Sequence, residues 1–416
     1  MAQPLEAVVI GGGAVGLACA LRLSALGAKV VLIEPDVGGQ PASFGNAGRL
    51  ATELAEPFAS LKTLWSVPGR CAIFGGALDL IWRDLDLVAP WALQYLAACR
   101  PAAFRRGTGV LGALLGQAIP AWRRMLGPEL AAQHIRCDGH HLLWGGDTAY
   151  RRALAAWQAK STGPASFRPL SDAEAARFAE VLRQPQAGGL TFDGTGELSD
   201  SGRVLAAMLA KFVADGGEVV RDAAARIDRT PGGRIRVVLA SGGTVDAALG
   251  VVAAGARSAA LVAPHGERAP LIGERGYHLH FAEHDWPRDI PNTTFEDRSV
   301  SVTAFTSGLR VTSNVEFGRP GSPPDPGKWR RLAWHVRDLG LPVRGEPSRW
   351  MGARPTLPDF LPAIGRCRAA PNLLYAFGHQ HIGMTLSAIT GEIIGALASD
   401  APPPVATAPL SLARFG

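Results

Sequence analysis

Three glycines near the start of the chain are spaced for chemistry on a phosphate. In Ala7-Val-Val-Ile-Gly-Gly-Gly-Ala-Val-Gly16, an apolar run is followed by Gly11, Gly13 and Gly16 in the G-x-G-x-x-G register. The first glycine lets the chain turn, the second lets backbone N–H groups approach a pyrophosphate, and the third lets helix and strand pack closely. Ala14 and Val15 then open a helix whose N-terminal partial charge favours phosphate. Val30-Val-Leu-Ile ends in Glu34, 18 residues past Gly16, where a carboxylate can accept hydrogen bonds from an adenosine ribose. Strand, turn, helix, strand and terminal acid agree, so the spacing predicts a dinucleotide site.

Other reactive side chains are less sharply placed. In Arg275-Gly-Tyr-His-Leu-His280, strand alternation puts Arg275, Tyr277 and Leu279 on one face and His278 and His280 on the other. Two readings of that face stand together: Arg275 and Tyr277 contact a substrate carboxylate, or Tyr277 is an ordinary strand residue. His379 and His381 are two apart in a loop without clustered carboxylates or thiolates, a poor metal-ligand set, so no metal is expected. Glu53 and Glu56 could read a basic or hydroxylated ligand, although such acids more often lie on a solvated surface.

The elements that must position these groups alternate along the chain. Residues 60–160 show helical spacing at Leu61–Leu64, Ala77–Trp82, Val88–Ala98, Leu111–Leu126 and Tyr150–Gln158. Trp65, Trp82, Trp91 and Trp122 fall in this region, either as core or as a membrane-surface patch. A helix from about Arg203 to Ala214 precedes a strand at Glu218–Arg221. A hairpin joins Ile235–Leu239 to Thr244–Ala248, and a short strand ends at Ala254-Gly255. Antiparallel sheet is expected at 270–318, a helix near Lys328–Leu339, and a closing strand, loop and helix over Asn372–Leu397. The expected architecture is α/β, α+β overall: a discontinuous Rossmann-like domain with an inserted antiparallel-sheet substrate domain and a helical insertion. Its dinucleotide parts are 1–58, 161–262 and 346–416; its substrate parts are 59–160 and 263–345.

Length and composition bound the rest. The chain's 416 residues can fill two domains, and 47% hydrophobic with 19% charged residues is globular, not disordered. A formal charge of +6 is spread without a basic run, so nucleic acid is not an expected partner. Five scattered cysteines without a C-x-x-C pair suit a reducing compartment. The first strand begins within ten residues of Met1, leaving no room for a signal peptide ahead of it. A cytoplasmic location is therefore expected, with peripheral contact at the inner face of the plasma membrane left open. There is neither a second glycine fingerprint nor a C-x-x-x-x-C after the first, so one tightly bound dinucleotide is expected to be the redox centre.

Five segments follow in order: the glycine fingerprint, Ser43-Phe-Gly-Asn-Ala-Gly48, Val251-Val-Ala-Ala-Gly255, Arg354-Pro-Thr-Leu-Pro-Asp-Phe-Leu-Pro-Ala-Ile-Gly365 and Gly378-His-Gln-His-Ile-Gly-Met-Thr385. Together they resemble the D-amino acid oxidase-type FAD-dependent oxidoreductases, most nearly the bacterial D-amino acid dehydrogenases. The resemblance implies non-covalent FAD. Gly11, Gly13, Ala14, Val15, Gly16 and Glu34 would hold its ADP half, and Ser43, Asn46, Ala47 and Gly48 would line pyrophosphate and flavin. Ala225 stands where the family often has a valine whose backbone meets adenine. Ala254 and Gly255 would flank the nucleotide turn, and Gly378, His379, Gly383, Met384 and Thr385 would approach the isoalloxazine. Arg354 would bind the substrate α-carboxylate with its planar fork. The implied reaction takes hydride from Cα of a D-amino acid, possibilities including D-proline and hydroxy-D-proline, and gives an imine. The rate should rise with pH as the amine loses its proton. The electron acceptor is open, a quinone or respiratory chain among the options. A sarcosine- or glycine-oxidase-like enzyme and a flavin subunit of an electron-transfer complex are the rival readings.

Overall fold

The computed structural model describes residues 5–37, 39–70 and 78–416. Strand Glu6–Ile10 is buried from Ala7 onward because it lies inside a six-stranded sheet. The order is Glu218–Val220, Lys29–Ile33, Glu6–Ile10, Leu249–Val252, Leu373–Phe377, Ala363–Arg366. The first five strands run parallel and the last is antiparallel. Continuous Val, Ile and Leu runs are what a parallel sheet covered on both faces requires. One face packs under helices Ala14–Ala25 and Gly383–Ala398, where Leu17, Leu21, Ile389 and Ile393 share a core. Gly391 permits their close crossing, since a Cβ there would lie 2.6 Å from the Ala18 carbonyl oxygen. The segment Gln380–Ala398 is long and apolar enough to cross a membrane, yet 67% of it is buried in this core. The other face carries the three-stranded sheet Ala224–Arg229, Ile235–Leu239, Thr244–Ala247.

A nine-stranded sheet forms the second layer. Its order is Ser348–Thr356, Ile272–Phe281, Gly308–Gly318, Val300–Phe305, Thr293–Phe295, His140–Trp144, Gly188–Asp193, Ser166–Pro169, with Leu78–Leu80 also pairing with Gly308–Gly318. It is antiparallel except at two pairings, Thr293–Phe295 with His140–Trp144 and Leu78–Leu80 with Gly308–Gly318. Helix Pro326–Leu339 covers its back, with Leu332, Val336 and Leu339 against Leu279, Val302 and Val311.

The structure moves several expected boundaries. Ser166–Pro169 and Gly188–Asp193 belong to the large sheet, although 161–262 was expected to be dinucleotide domain. Ser348–Thr356 likewise leaves the 346–416 segment. Alternation reveals a strand, but the partner that completes its ladder is distant in sequence. The helix expected at Ala77–Trp82 is a strand at Leu78–Leu80 and a 3₁₀ turn at Trp82–Asp84, with Ala77 outside the described residues. Pairing with Gly308–Gly318 overrides the local pattern there. Helix Pro101–His134 joins the dinucleotide core through Leu114, Leu115 and Trp122. Of the four tryptophans, Trp65 is exposed while Trp91 and Trp122 are buried; the Trp82 side chain lies outside the described residues.

Candidate active site

The nucleotide turn is built to exclude side chains. Gly11 has φ +109°, and a Cβ there would strike the Ala253 carbonyl; one at Gly16 would strike the Gly11 carbonyl. A Cβ at Gly13 would meet only the Ser43 hydroxyl, at 3.4 Å. The helix beginning at Ala14 has no side-chain cap from Gly13, and the Ala14 N–H reaches the Ser43 hydroxyl at 3.1 Å. Glu34 follows its strand, with one carboxylate oxygen accepting from Gly12 N at 2.6 Å and the other from Asp36 N at 3.0 Å. A helix start without a cap from its own N-cap residue, a bare glycine turn and an acid after the second strand fit the ADP half of FAD. Ala254 adjoins Gly11, and Gly255 turns away with φ +55°. Ala225 is exposed at a register shift between Ala224 and Arg226.

The loop over 43–48 is held from behind by its carbonyls. Arg310 Nη1 donates to the Phe44 and Asn46 carbonyls at 2.7 and 2.8 Å, and Ser201 donates to the Phe44 carbonyl at 2.7 Å. Thr303 donates to the Ala47 carbonyl at 2.8 Å, and Leu198 N to the Gly48 carbonyl at 2.7 Å. Gly48 has φ +75° and its N–H reaches Asn46 Oδ1 at 2.8 Å. Sequence reasoning missed Arg310. It is 3% exposed and lies over the Phe44 and Phe305 rings. Burial pushes it down to about 10, still cationic at neutral pH. Its one sequence signal was a charge in the middle of an apolar strand pattern.

Arg354 stands directly across from Glu274, and Gly352 across from Gly276, so these residues share the sheet face on which His278 meets the loop over 43–48. His278 and Trp350 stack on that face at 5.0 Å, and His278 Nδ1 lies 3.3 Å from the Gly45 carbonyl. The Arg354 guanidinium lies over Gly276, where any Cβ would collide with it. Its Nη1 is 3.4 Å from Glu274 Oε1, while Thr356 donates to Glu274 Oε2 at 2.9 Å. His381 Nδ1 is 4.0 Å from the same Oε1, and its ring meets Phe58 edge-on at 5.0 Å. Burial holds His381 down to about 4; Glu274 raises it, and the Arg354 and Arg49 charges lower it further. It is therefore neutral at pH 7. A cavity of about 370 Å³ opens at the other end of this face, lined by Phe44, Arg203, His280 and Arg310 but not by Arg354.

Arg275 and Tyr277 are not brought together with Arg354. They point through the sheet, where Arg275 Nη1 is 3.2 Å from Glu316 Oε2 and the Tyr277 hydroxyl donates to the same oxygen at 2.9 Å. Trp329 of helix Pro326–Leu339 closes over Tyr277 at 5.2 Å. Burial pushes Tyr277 up to about 12, so it stays protonated. Glu53 is fully buried and paired with Arg49, and Glu56 accepts from Ser161 N at 2.9 Å. Glu56 is thus engaged by the protein, whereas Glu53 is engaged through Oε1 alone, its buried Oε2 having no hydrogen-bond partner among the described residues.

The C-terminal segment folds beneath this site. Gly378 turns with φ +78°, and the His379 ring points into the closing helix, 2.9 Å from the Thr390 hydroxyl. Burial pushes His379 down to about 3, so it is a neutral internal brace. Helix Gly383–Ala398 starts with Gly383 and Met384, whose carbonyl accepts from the Trp122 indole at 2.9 Å. Thr385 accepts from Ala51 N at 3.1 Å and donates to the Arg49 carbonyl at 3.3 Å, tying the helix to the segment that follows the loop over 43–48. Thr385→Val keeps the shape but orphans a buried N–H. It should cost about 1–3 kcal/mol, read as a lower melting temperature and easier flavin release; an unchanged melting curve would remove this tie from the account.

The model of the DAO family, FAD dependent oxidoreductase, matches residues 6–397. A D-amino-acid oxidase of Bradyrhizobium diazoefficiens is 31% identical, with 100% of each chain covered. A D-amino acid dehydrogenase of Cereibacter sphaeroides is 28% identical, covering 99% of this chain and 95% of its own. The solved glycine oxidase of Geobacillus kaustophilus shares the fold, with a TM-score of 0.71, 19% identity and 99% of both chains covered. Matched over residues 6–397 and similar along its full length to a D-amino-acid oxidase, this chain belongs to the DAO family of FAD-dependent oxidoreductases.

Proposed function

We propose that this enzyme oxidises the Cα–N bond of a D-amino acid whose carboxylate is held by Arg354. The observation that carries the reading is Arg354 itself, a side chain 21% exposed on the face that meets the loop over 43–48. Among the described residues, its Nε and Nη2 make no hydrogen bond, leaving a planar fork for a carboxylate. When bound, FAD would accept the two electrons and the hydrogen that leave Cα. The chain supplies position and charge. Arg354 fixes one end of the substrate, the tied loop over 43–48 fixes the reaction plane, and Phe58 with neutral His381 forms an apolar shoulder. Water then converts a linear imine to a keto acid; a D-proline-type ring would leave as a cyclic imine.

Full-length similarity to a D-amino-acid oxidase and D-amino acid dehydrogenases supports the same reading. Anaerobic mixing of the purified holoenzyme with paired D- and L-amino acids, D-proline and hydroxy-D-proline included, tests it. Bleaching of the flavin band by a D-form and not its L-partner is expected. Reoxidation by air or by a quinone analogue then separates oxidase from dehydrogenase. Bleaching only by glycine or sarcosine, or by no amine, would overturn the assignment.

A further inference from the structure

Glu274 is a buried acid beside the group that should bind a carboxylate, an arrangement that works against a simple anion. It is 4% exposed, yet its Oε1 is shared by Arg354 at 3.4 Å and His381 at 4.0 Å. The Arg354 contact is one-ended and longer than an ordinary charge-assisted bond of about 2.7–2.9 Å. By contrast, Arg124 and Glu392 make two parallel bonds, at 2.8 and 3.0 Å. Glu274 is therefore anchored mainly through Oε2 by Thr356, at 2.9 Å, which leaves Oε1 loosely held. Neutral His381 adds no second cation to the pair.

Building on the amino-acid reading above, we infer that Glu274 contacts the substrate nitrogen, so that Arg354 and Glu274 together read a zwitterion. The α-carboxylate meets the free fork of Arg354, and the α-nitrogen turns to Glu274 Oε1. A paired, net-neutral site accepts a ligand carrying both charges and discriminates against a carboxylate that brings no positive group. The same contact serves the reaction. For oxidation the ammonium must first release one proton to solvent; the hydride leaving Cα would then pass to bound FAD while the freed nitrogen lone pair becomes the second C–N bond. Positive charge then grows on nitrogen, opposite a fixed carboxylate.

The test compares two ligands in holoenzyme of wild type and Glu274→Gln: the best D-amino acid by steady-state KM, and benzoate, a carboxylate without an amine, by perturbation of the flavin spectrum. Loss of a charged partner should raise the amino-acid KM about tenfold or more. Benzoate should bind several-fold tighter, because an opposing charge is gone. Parallel weakening of both ligands would mean that Glu274 only orients Arg354, and would overturn the inference while leaving the proposed reaction intact. Should Glu274→Gln lose flavin, Glu274→Asp serves instead: it keeps the charge, so benzoate should bind no tighter than in wild type while the amino-acid KM rises. Tighter benzoate in that variant would also overturn it. A wild-type holoenzyme reduced by no D-amino acid would remove reaction and contact together.

Discussion

Arg354→Ala is expected to keep its flavin and lose nearly all turnover of D-amino acids. Removing one partner of a hydrogen-bonded charge pair in an enclosed site costs about 2–5 kcal/mol. At 1.36 kcal/mol per decade, that is roughly 30-fold to several thousand-fold in kcat/KM. The flavin should stay because the nucleotide turn, Ser43 and the carbonyl-tied loop lie on other elements. Arg354→Lys keeps a charge but not the planar fork, so it should fall between the two, with the larger change in KM. The deciding comparison is an amine that lacks the carboxylate. Its oxidation, however slow, should be nearly the same in wild type and Arg354→Ala. Equal losses on both substrates, or normal kinetics on the amino acid, would end the carboxylate assignment.

How much of this was legible in the sequence depended on whether the determinant was local. The nucleotide turn was legible in the spacing of Gly11, Gly13 and Gly16, although only the Gly16 requirement is set locally, by the Gly11 carbonyl, while Gly11 is forced by the distant Ala253 carbonyl. Helix Ser201–Ala214 announced itself by the capping groups at Ser199 and Asp200; Pro326–Leu339 and Gly383–Ala398 were also expected near their observed places, the latter without a side-chain cap. Alternation also separated residues 275, 277 and 279 from residues 278 and 280, as the sheet pairing has them. It could not say which face looked toward the loop over 43–48, because that depends on Arg354 pairing with Glu274 from 80 residues away. Glu274 was overlooked for the same reason, although its parity matches that of His278 and His280. Arg310 was hidden more deeply. Its partners are backbone carbonyls of residues 44 and 46, and a carbonyl leaves no mark in a sequence.

Arg275→Ala tests the opposite face and should damage stability rather than chemistry. Arg275 is fully buried, with Nη1 3.2 Å from Glu316 Oε2 and Nη2 donating to the Pro323 carbonyl at 2.8 Å. Its Nε and Nη1 lack well-aligned hydrogen-bond acceptors. The pair is consequently a poor source of net stability, but breaking it strands the Glu316 carboxylate inside the protein. Losing one partner of a buried pair typically costs about 3–5 kcal/mol, against a total of about 5–15 kcal/mol for a domain. Arg275→Ala should therefore melt markedly earlier and yield less folded protein, while turnover per bound flavin stays near wild type. The double variant Arg275→Met with Glu316→Leu supplies the decisive contrast. It removes both charges and fills their space with apolar atoms, which is often neutral or stabilising, so most of the lost melting temperature should return. Tyr277 would then lose its bond to Glu316 yet keep the one from Asp325 N, at 3.0 Å. If Arg275→Ala instead kept its melting temperature and lost turnover, Arg275 would belong to the substrate site after all, and the strand would have to present its other face to the flavin.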